Sequence, residues 1–311
     1  MDFKTYFDRI YEDYTKYFVV PLAMIVVALG VLGFNYMNHP EGVFSQGLDF
    51  KGGIEVVYSA GGNFTASGIE QAFAAEGRGG VEAVRQSNVG SDGPGLVSVQ
   101  VPRPVMSVEE VDSIVKTTGL TGERQDSRKL SPMISQSFRT QAPIAFVLAF
   151  TIMSLMIFVA FRDLTPSLAV IFAAAGDILI ALAGMSFFRI KLTMGSVAAL
   201  LMLIGYSVDT DIVLSSRVLE QRKESLRERI WSSVKTGVTM SSGGIAAFSI
   251  LYIVSMQIVG PSELSNIAAV MVIGLLADMP FTYFGNAIIL KEYREGDLNI
   301  YEKLKRWLGW D

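Results

Sequence analysis

The chain has 311 residues, of which 50% are apolar, and its mean hydropathy is +0.40. This composition is too hydrophobic for an ordinary soluble domain and, with several long apolar segments, indicates a membrane protein. The formal net charge of −4 is small, and the sequence contains no cysteine and one histidine. Disulfide frameworks, cysteine nucleophiles and a zinc site built on several histidines are therefore excluded.

The chain opens with an aromatic and basic segment, residues 1–17, which is followed by an apolar segment at residues 18–36. A helix needs about 20 apolar residues to cross a bilayer. We therefore predict the first transmembrane helix at residues 18–36, with the aromatic side chains before it in the headgroup zone. The apolar segment lacks a small-residue cleavage site, so we expect a retained anchor rather than a signal peptide.

Residues 37–141 form a polar insert with its own pattern of secondary structure. The predicted elements are a strand at 53–59, a helix at 67–76, strands at 81–86 and 95–102, a helix at 107–117 and a strand at 122–128. Ser67 and Ser107 each stand three residues before a glutamate, which is typical of a capping box. The order β-α-β-β-α-β predicts a ferredoxin-like α+β domain, and about 100 residues suffice for an independent unit.

From residue 142 to 311 the pattern predicts a membrane domain with five further spans. They are expected at residues 142–161, 166–187, 193–216, 237–257 and 264–290. Six spans place both termini on one side, and lysine and arginine concentrate in the loop 217–235 and in the tail 291–311. Because basic residues are enriched in cytoplasmic segments, we predict a multi-pass cell-membrane protein with cytoplasmic termini and an extracytoplasmic α+β domain.

Four aspartates interrupt the apolar spans: Asp177, Asp209, Asp211 and Asp278. A charged side chain near the bilayer centre costs at least about 2.5 kcal/mol on insertion scales, and such residues often form proton or ion pathways. Positions two apart differ by about 200° around a helix. We therefore expect Asp209 and Asp211 to point to opposite faces, one towards helices of this chain and the other towards a partner.

Lys235 opens the fifth predicted span and is the one base close enough in the pattern to pair with an aspartate on a neighbouring helix. It could equally be an interface anchor whose ammonium group reaches the headgroups. Asp278 stands before Pro280, where a kink would free backbone carbonyls. This carboxylate could therefore serve either the irregular backbone or a relay.

The sequence contains no Gly-x-x-x-x-Gly-Lys-[Ser/Thr] phosphate loop and no His-Glu-x-x-His motif. Lys51-Gly52-Gly53 opens a predicted strand rather than a helix, so we do not expect it to bind phosphate. We predict no enzyme, no cofactor, no metal site and no nucleic-acid partner. The available source of work is the transmembrane field, worth about 2.3 kcal/mol per charge per 100 mV.

Two sequence motifs stand out. The first follows the first predicted span and reads Gly47-Leu48-Asp49-Phe50-Lys51-Gly52-Gly53. The second lies in the fourth predicted span and reads Gly205-Tyr206-Ser207-Val208-Asp209. Together they resemble the signature motifs of the SecD/SecF protein-export family. The small external domain favours the SecF side of the family. The continuation to Asp211, together with Asn286-Ala287 near the end, is similar to its archaeal branch.

The resemblance implies a subunit of the RND superfamily that pairs with SecD and acts with the Sec translocon on a translocating polypeptide, driven by the proton gradient. By position, Asp209 matches the fourth-span carboxylate of SecD, whereas bacterial SecF carries it one place later, at Thr210. Asp177 matches the aspartate of a third-span His-Asp pair in which Gly176 replaces the histidine. Lys235 matches a family arginine, and this change keeps the charge but loses the planar guanidinium.

Two other functions fit the same features. One is an RND-type efflux half-transporter for small molecules, which would need a substrate pocket and much larger external domains. The other is a scaffold that binds the translocon without using an ion gradient. Six spans are half of the twelve expected of a unit of this superfamily, so transport of either kind requires a second half.

Overall fold

A computed structural model describes residues 7, 10–39, 42–86, 95–102, 106–130, 132–220 and 224–296. In chain order its elements are a 3-10 turn (Tyr14–Phe18), α1 (Val19–Asn38), α2 (Leu48–Lys51), β1 (Gly53–Ser59), α3 (Ala66–Ala75), β2 (Glu82–Gln86), β3 (Leu96–Pro102), α4 (Val108–Thr117), β4 (Arg124–Leu130), α5 (Pro132–Phe161), α6 (Leu164–Phe187), α7 (Met194–Glu220), α8 (Leu226–Ile258), α9 (Glu263–Phe281), a π-helical turn (Thr282–Asn286) and α10 (Ala287–Glu295).

The predicted fold class is confirmed. Within the described residues, six helical segments are long and apolar enough to cross a membrane, namely α1, α5, α6, α7, α8 and the continuous segment from α9 to α10. The strands form one antiparallel sheet in the order β2-β3-β1-β4. This is the strand order of a split β-α-β unit, as the sequence pattern predicts.

The α+β domain is built on alternating apolar residues. Ile54 and Val56 of β1, and Val97 and Val99 of β3, are fully buried, because successive side chains of a strand point to opposite faces. Phe73 of α3 packs into the same core. The burial of these apolar side chains stabilises the domain by about 25 cal/mol for each Å² of apolar surface removed from water.

The two helix starts of this domain differ in how they are capped. Ser107 and Glu110 form the expected capping box at α4. The prediction of Ser67 as the other cap is wrong, because α3 begins earlier and its N-cap is Thr65, whose hydroxyl accepts a hydrogen bond from Gly68 N at 3.0 Å. A threonine two residues upstream satisfies the same unpaired N–H groups of the first turn.

The membrane helices divide into an inner and an outer set. Within the most apolar 18-residue stretch of each span, the buried share is 56% in α6, 50% in α7 and 56% in the α9–α10 segment. In α1, α5 and α8 the corresponding shares are 11%, 6% and 11%. The inner three helices contact one another, so any polar side chain that they share lies at the centre of the bundle.

Residues 217–235, predicted as the charged connection between two spans, are mostly helical in their described part. α7 continues to Glu220, and α8 begins at Leu226 behind a capping box that Ser225 starts. The charged side chains of this stretch belong to the last turn of one span and the first turns of the next. The predicted tail at 291–311 likewise begins as helix, because α10 ends at Glu295, and residues 297–311 lie outside the described part of the chain.

The bundle has two distinct ends. At the end where α7 ends and α8 begins, Tyr14 is buried, and Phe7 packs with the ring of Trp231 at a centroid distance of 5.0 Å. At the other end, the α+β domain contacts the loop before α7, where Gly47 N donates to Leu192 O at 2.9 Å. We call the latter the domain end.

Candidate functional site

Three of the predicted aspartates meet at the centre of the bundle. Asp177 of α6, Asp211 of α7 and Asp278 of α9 are each 0% exposed. The hydroxyl of Ser207, on α7, donates to Asp177 Oδ2, and the hydroxyl of Ser241, on α8, donates to Asp278 Oδ2 at 2.9 Å. The cluster therefore joins four spans through short polar side chains, as is common where helices associate in lipid.

One hydroxyl bridges two of these carboxyl groups. Thr282 Oγ1 lies 3.0 Å from Asp211 Oδ1 and 3.2 Å from Asp278 Oδ1. A threonine hydroxyl has one proton to donate, so it can donate to one of the two at a time. The second contact becomes a hydrogen bond only when that carboxyl group is protonated and donates to the threonine oxygen. The geometry thus holds a position for a proton between α7 and α9.

The π-helical turn supplies both neutral partners of Asp211. Thr282 is its first residue, and Asn286, its last, donates from Nδ2 to Asp211 Oδ1 at 2.8 Å. Such turns are rare and are found frequently at functional sites. The turn follows Pro280, which lacks an N–H group and so weakens the regular helical ladder at this place. The carboxyl group of Asp278 contacts two side-chain hydroxyls, and not the backbone carbonyls that a kink at Pro280 would leave unpaired.

Several polar atoms of the cluster keep unused hydrogen-bonding capacity. Asp177 Oδ1, Asp211 Oδ2 and Asn286 Oδ1 are buried and have no hydrogen-bond partner among the described residues. Buried polar atoms without a partner are uncommon, and each costs about 1–3 kcal/mol. The cluster is therefore polar beyond what helix packing needs. No group of three or more histidine, cysteine or acidic residues suited to a metal ion occurs in the described part.

Asp209 and Lys235 lie outside this cluster. Asp209 is exposed on the opposite face of α7 from Asp211, next to the exposed residues Gly205 and Ile212. Lys235 is also exposed, and its ammonium group lies 5.8 Å from the centre of the Trp231 ring. The salt bridges found among the described side chains do not join Lys235 to an aspartate.

The other residues of the fourth-span motif have separate positions. Ser207 belongs to the cluster through Asp177. Tyr206 donates from its hydroxyl to Met240 O at 3.0 Å and so ties α7 to α8. Gly205 has no atom within 4 Å of the place where a Cβ would stand. Close packing against this chain therefore does not account for glycine at that position.

Steric crowding explains why a glycine stands at Gly176. A Cβ at this position would overlap the ring of Phe281 on α9. The ring thus fills the space next to Asp177, and a histidine could not enter without displacing it. Phe281 is itself 0% exposed, so the missing side chain at Gly176 is matched by an aromatic side chain from the facing helix.

The Gly47–Gly53 motif does not form a phosphate loop but a connection between the two parts of the molecule. Asp49 is 4% exposed, and its Oδ2 accepts a hydrogen bond from Met194 N at 2.9 Å. Gly52 and Gly53 have φ values of 70° and 155°. Gly53 also lies so close to Val101 O that a side chain could not be placed there. The glycines allow the tight passage from α2 into β1.

Sequence reasoning did not assign Thr282 or Asn286 to the site, and named Asn286 only as part of the family resemblance, yet both residues complete the cluster. Both are small polar residues in an apolar segment, at positions four and eight residues after Asp278. Residues at i, i+4 and i+8 share one face of a helix. This spacing is the signal that could have indicated them.

The comparisons with known proteins agree with this architecture. Residues 110–296 match the family described as protein export membrane protein SecD/SecF, C-terminal. The protein-export membrane protein SecF of Methanothermobacter thermautotrophicus is 37% identical over 292 residues, which cover 93% of this chain and 95% of that protein. SecF of Thermococcus gammatolerans is 33% identical, with 94% and 89% covered.

A solved structure shows the same fold. SecDF from Thermus thermophilus, described as a translocon-associated membrane protein, superposes with a TM-score of 0.67 at 22% identity. The match covers 89% of this chain but 37% of that longer chain. From the family match and the archaeal relatives, the chain belongs to the SecD/SecF protein-export family, on its SecF side.

Proposed function

We propose that this chain is an auxiliary subunit of protein export that works with a SecD-like partner and couples an ion gradient to movement through Asp177, Asp211 and Asp278. The observation that carries the proposal is the bridge of Thr282 between Asp211 and Asp278. Three fully buried carboxyl groups in a membrane-spanning bundle are costly, and a bridge with one shared proton gives them a use.

The mechanism follows from the hydrogen bonds. When Asp211 and Asp278 are both charged, they repel each other, and Thr282 satisfies one of them. When one carboxyl group takes up a proton, repulsion falls and both contacts to Thr282 become hydrogen bonds. α7 and α9 are therefore held more firmly in one relative position in the protonated form than in the charged form.

A partner half is supported by the exposed face of α7. Asp209 lies there beside Gly205, which leaves open space next to the helix backbone. A charged side chain in lipid is costly, whereas a facing helix with a hydrogen-bond donor would satisfy it. We propose that the SecD-like half packs on this face and completes a twelve-span unit that contacts the translocon and the emerging polypeptide.

The proposed orientation has both termini in the cytoplasm and the α+β domain outside. Basic residues concentrate at the end of the bundle opposite the domain end, and include Arg217, Arg227 and Arg229 at the junction of α7 and α8, and Lys291 and Arg294 in α10. This distribution follows the positive-inside rule. The domain is then placed where an exported polypeptide leaves the membrane.

The experiment is reconstitution of this chain with its SecD-like partner and a translocon in proteoliposomes that carry a proton gradient or a sodium gradient. With Asp211→Asn, we expect the partner complex to remain and gradient-stimulated export to be lost. Asp209→Asn, which removes a carboxylate outside the cluster, tests the partner face separately. Because it removes a charge from the partner face, its expected effect is on the recovery of the complex. Export that is unchanged in Asp211→Asn under either gradient would leave only the scaffold function.

A groove of about 600 Å³ near the domain end is a feature that a small-molecule efflux function could use. It lies between the end of α6, α8 and α9, and it is lined mainly by apolar side chains such as Phe188, Ile253 and Ala269. None of the three clustered aspartates lines it. Because the groove and the carboxylates are separate, we favour protein export, and unchanged drug sensitivity in a deletion strain is the expected result.

A further inference from the structure

A buried carboxylate of the α+β side caps the helix that carries Asp211. Thr193 and Ser196 already satisfy two backbone N–H groups at the start of α7 by reciprocal hydrogen bonds of 2.8 and 3.2 Å. The N–H of Met194 is taken by Asp49 Oδ2 at 2.9 Å, from a residue 145 positions away. An acidic side chain at the N-terminus of a helix is stabilising, because it accepts from unpaired N–H groups and opposes the helix dipole.

The same carboxylate reaches the helix that carries Asp278. Arg128 of β4 has Nη2 at 3.6 Å from Asp49 Oδ1 and Nη1 at 3.9 Å from Glu263 Oε1. Glu263 is the first residue of α9. The starts of α7 and α9 therefore share one chain of charges, Asp49–Arg128–Glu263, with Arg128 supplied by the sheet.

Backbone contacts fix the segment before Asp49 to the same place. Gly47 N donates to Leu192 O at 2.9 Å, and Leu192 N donates to Ser45 O at 2.7 Å. Lys191 and Glu82 of β2 form an ion pair beside them. A polar cleft of about 190 Å³ opens here, lined by Asp49, Arg128 and Glu263 among others. The contact between the two parts of the molecule is thus built from hydrogen bonds and charges.

We propose that Asp49 is a positioning residue that clamps the α+β domain to the starts of α7 and α9, and so passes their relative movement to the domain. The inference rests on the proposed function for its use, but the clamp itself is a separate structural statement. Met194 precedes Asp211 on α7 by about 26 Å, and Glu263 precedes Asp278 on α9 by about 22 Å, at a rise of about 1.5 Å per residue. A shift between the two helices at the cluster moves their starts as well.

Three substitutions separate the parts of the clamp. Asp49→Asn keeps an acceptor for Met194 N and loses the charge that faces Arg128. Arg128→Gln keeps the cap and breaks the connection to Glu263. Asp49→Ala removes both. Asp112→Asn is the matched control, because Asp112 pairs with Arg124 at 3.0 Å inside the α+β domain.

The measurement uses the absence of cysteine from the chain. Two cysteines introduced at exposed positions, Lys116 on α4 and Phe187 at the end of α6, carry spin labels in the full chain with its partner in nanodiscs. We expect one narrow distance distribution in the parent protein and in Asp112→Asn. We expect Asp49→Ala to raise the share of molecules at other spin-label distances about fivefold, which is the effect expected from losing a helix cap. Asp49→Asn and Arg128→Gln should raise this share less.

The second variable is the charge of the aspartate cluster. Asp211→Asn changes it by replacing one carboxyl group with a neutral amide. It is expected to shift the distance in the parent protein, and this shift should disappear in Asp49→Ala. A distribution in Asp49→Ala that equals the parent's overturns the clamp. If Asp49→Ala broadens the distribution while Asp211→Asn has no effect in the parent protein, the clamp stands and ion coupling at the cluster is refuted.

Discussion

The α+β domain and the centre of the helical bundle are held together in opposite ways. The domain core consists of apolar side chains such as Ile54, Phe73 and Val99, all 0% exposed. At the centre of the bundle, residues with the same burial are polar, among them Asp211 and Thr282. Burial alone therefore does not distinguish an apolar core from a polar cluster.

The surroundings explain this difference. The domain faces water, so burying apolar surface is the main source of its stability. The bundle faces lipid, where apolar side chains gain little by turning inward, and association depends on close packing and on hydrogen bonds between helices. A polar centre is thus compatible with stability in the membrane, and its excess capacity for hydrogen bonds is available for function. Four substitutions test this contrast.

The largest effect on stability is expected in the α+β domain. Phe73→Ala should lower the free energy of unfolding of this domain by about 3–5 kcal/mol, because it removes a large buried side chain and leaves a cavity. Hydrogen exchange of the β1 and β3 amides in the full chain measures it. Lys116→Ala, at an exposed position of α4, is the control. Equal exchange in the two variants would contradict the account of the domain core.

In the bundle, close packing is tested at Gly176. Gly176→Ala should destabilise the protein in detergent by about 1–3 kcal/mol through overpacking against Phe281. Gly205→Ala makes the same change in open space and should be neutral or slightly stabilising, since alanine favours helices. If the Phe281→Ala background does not reduce the cost of Gly176→Ala, the steric explanation of this glycine is wrong.

The polar bridge is tested by Thr282→Val, which keeps the shape of the side chain and removes the hydroxyl. We expect the free energy of unfolding to fall by about 1–3 kcal/mol, because a buried carboxyl group loses its hydrogen bond. We also expect gradient-stimulated export to be lost. Thr151→Val is the control, since the Thr151 hydroxyl bonds Val147 O of its own helix at 2.7 Å. Export equal to that of this control would show that the bridge carries no function.

The smallest effect is expected at Lys235. Because its side chain is exposed and lies over Trp231, Lys235→Ala should change the free energy of unfolding by no more than about 0.5 kcal/mol. Thermal unfolding of the chain without its partner measures this change. A much larger loss would mean that Lys235 pairs inside this chain, as the sequence interpretation allowed, and that the cluster extends to α8 by an ion pair.

The elements of the fold were predictable because their signals are local. Apolar length predicts the six spans, and alternation with turn residues predicts the four strands and the two longer helices of the domain, with ends that differ by at most two residues from β1 to β4. The 3.6-residue period also predicts that Asp209 and Asp211 point apart. Each of these signals can be read within a single continuous segment of the chain.

The composition of the site was decided by the tertiary structure. Asp211 meets Thr282 across 71 positions, and Asp49 meets Met194 across 145. Which faces of two spans meet depends on their rotation and relative depth, and these are set by packing such as that of Phe281 against Gly176. The sequence by itself determined that carboxylates lie in the membrane. The packing of the helices decided that three of them share one site and that Asp209 and Lys235 do not.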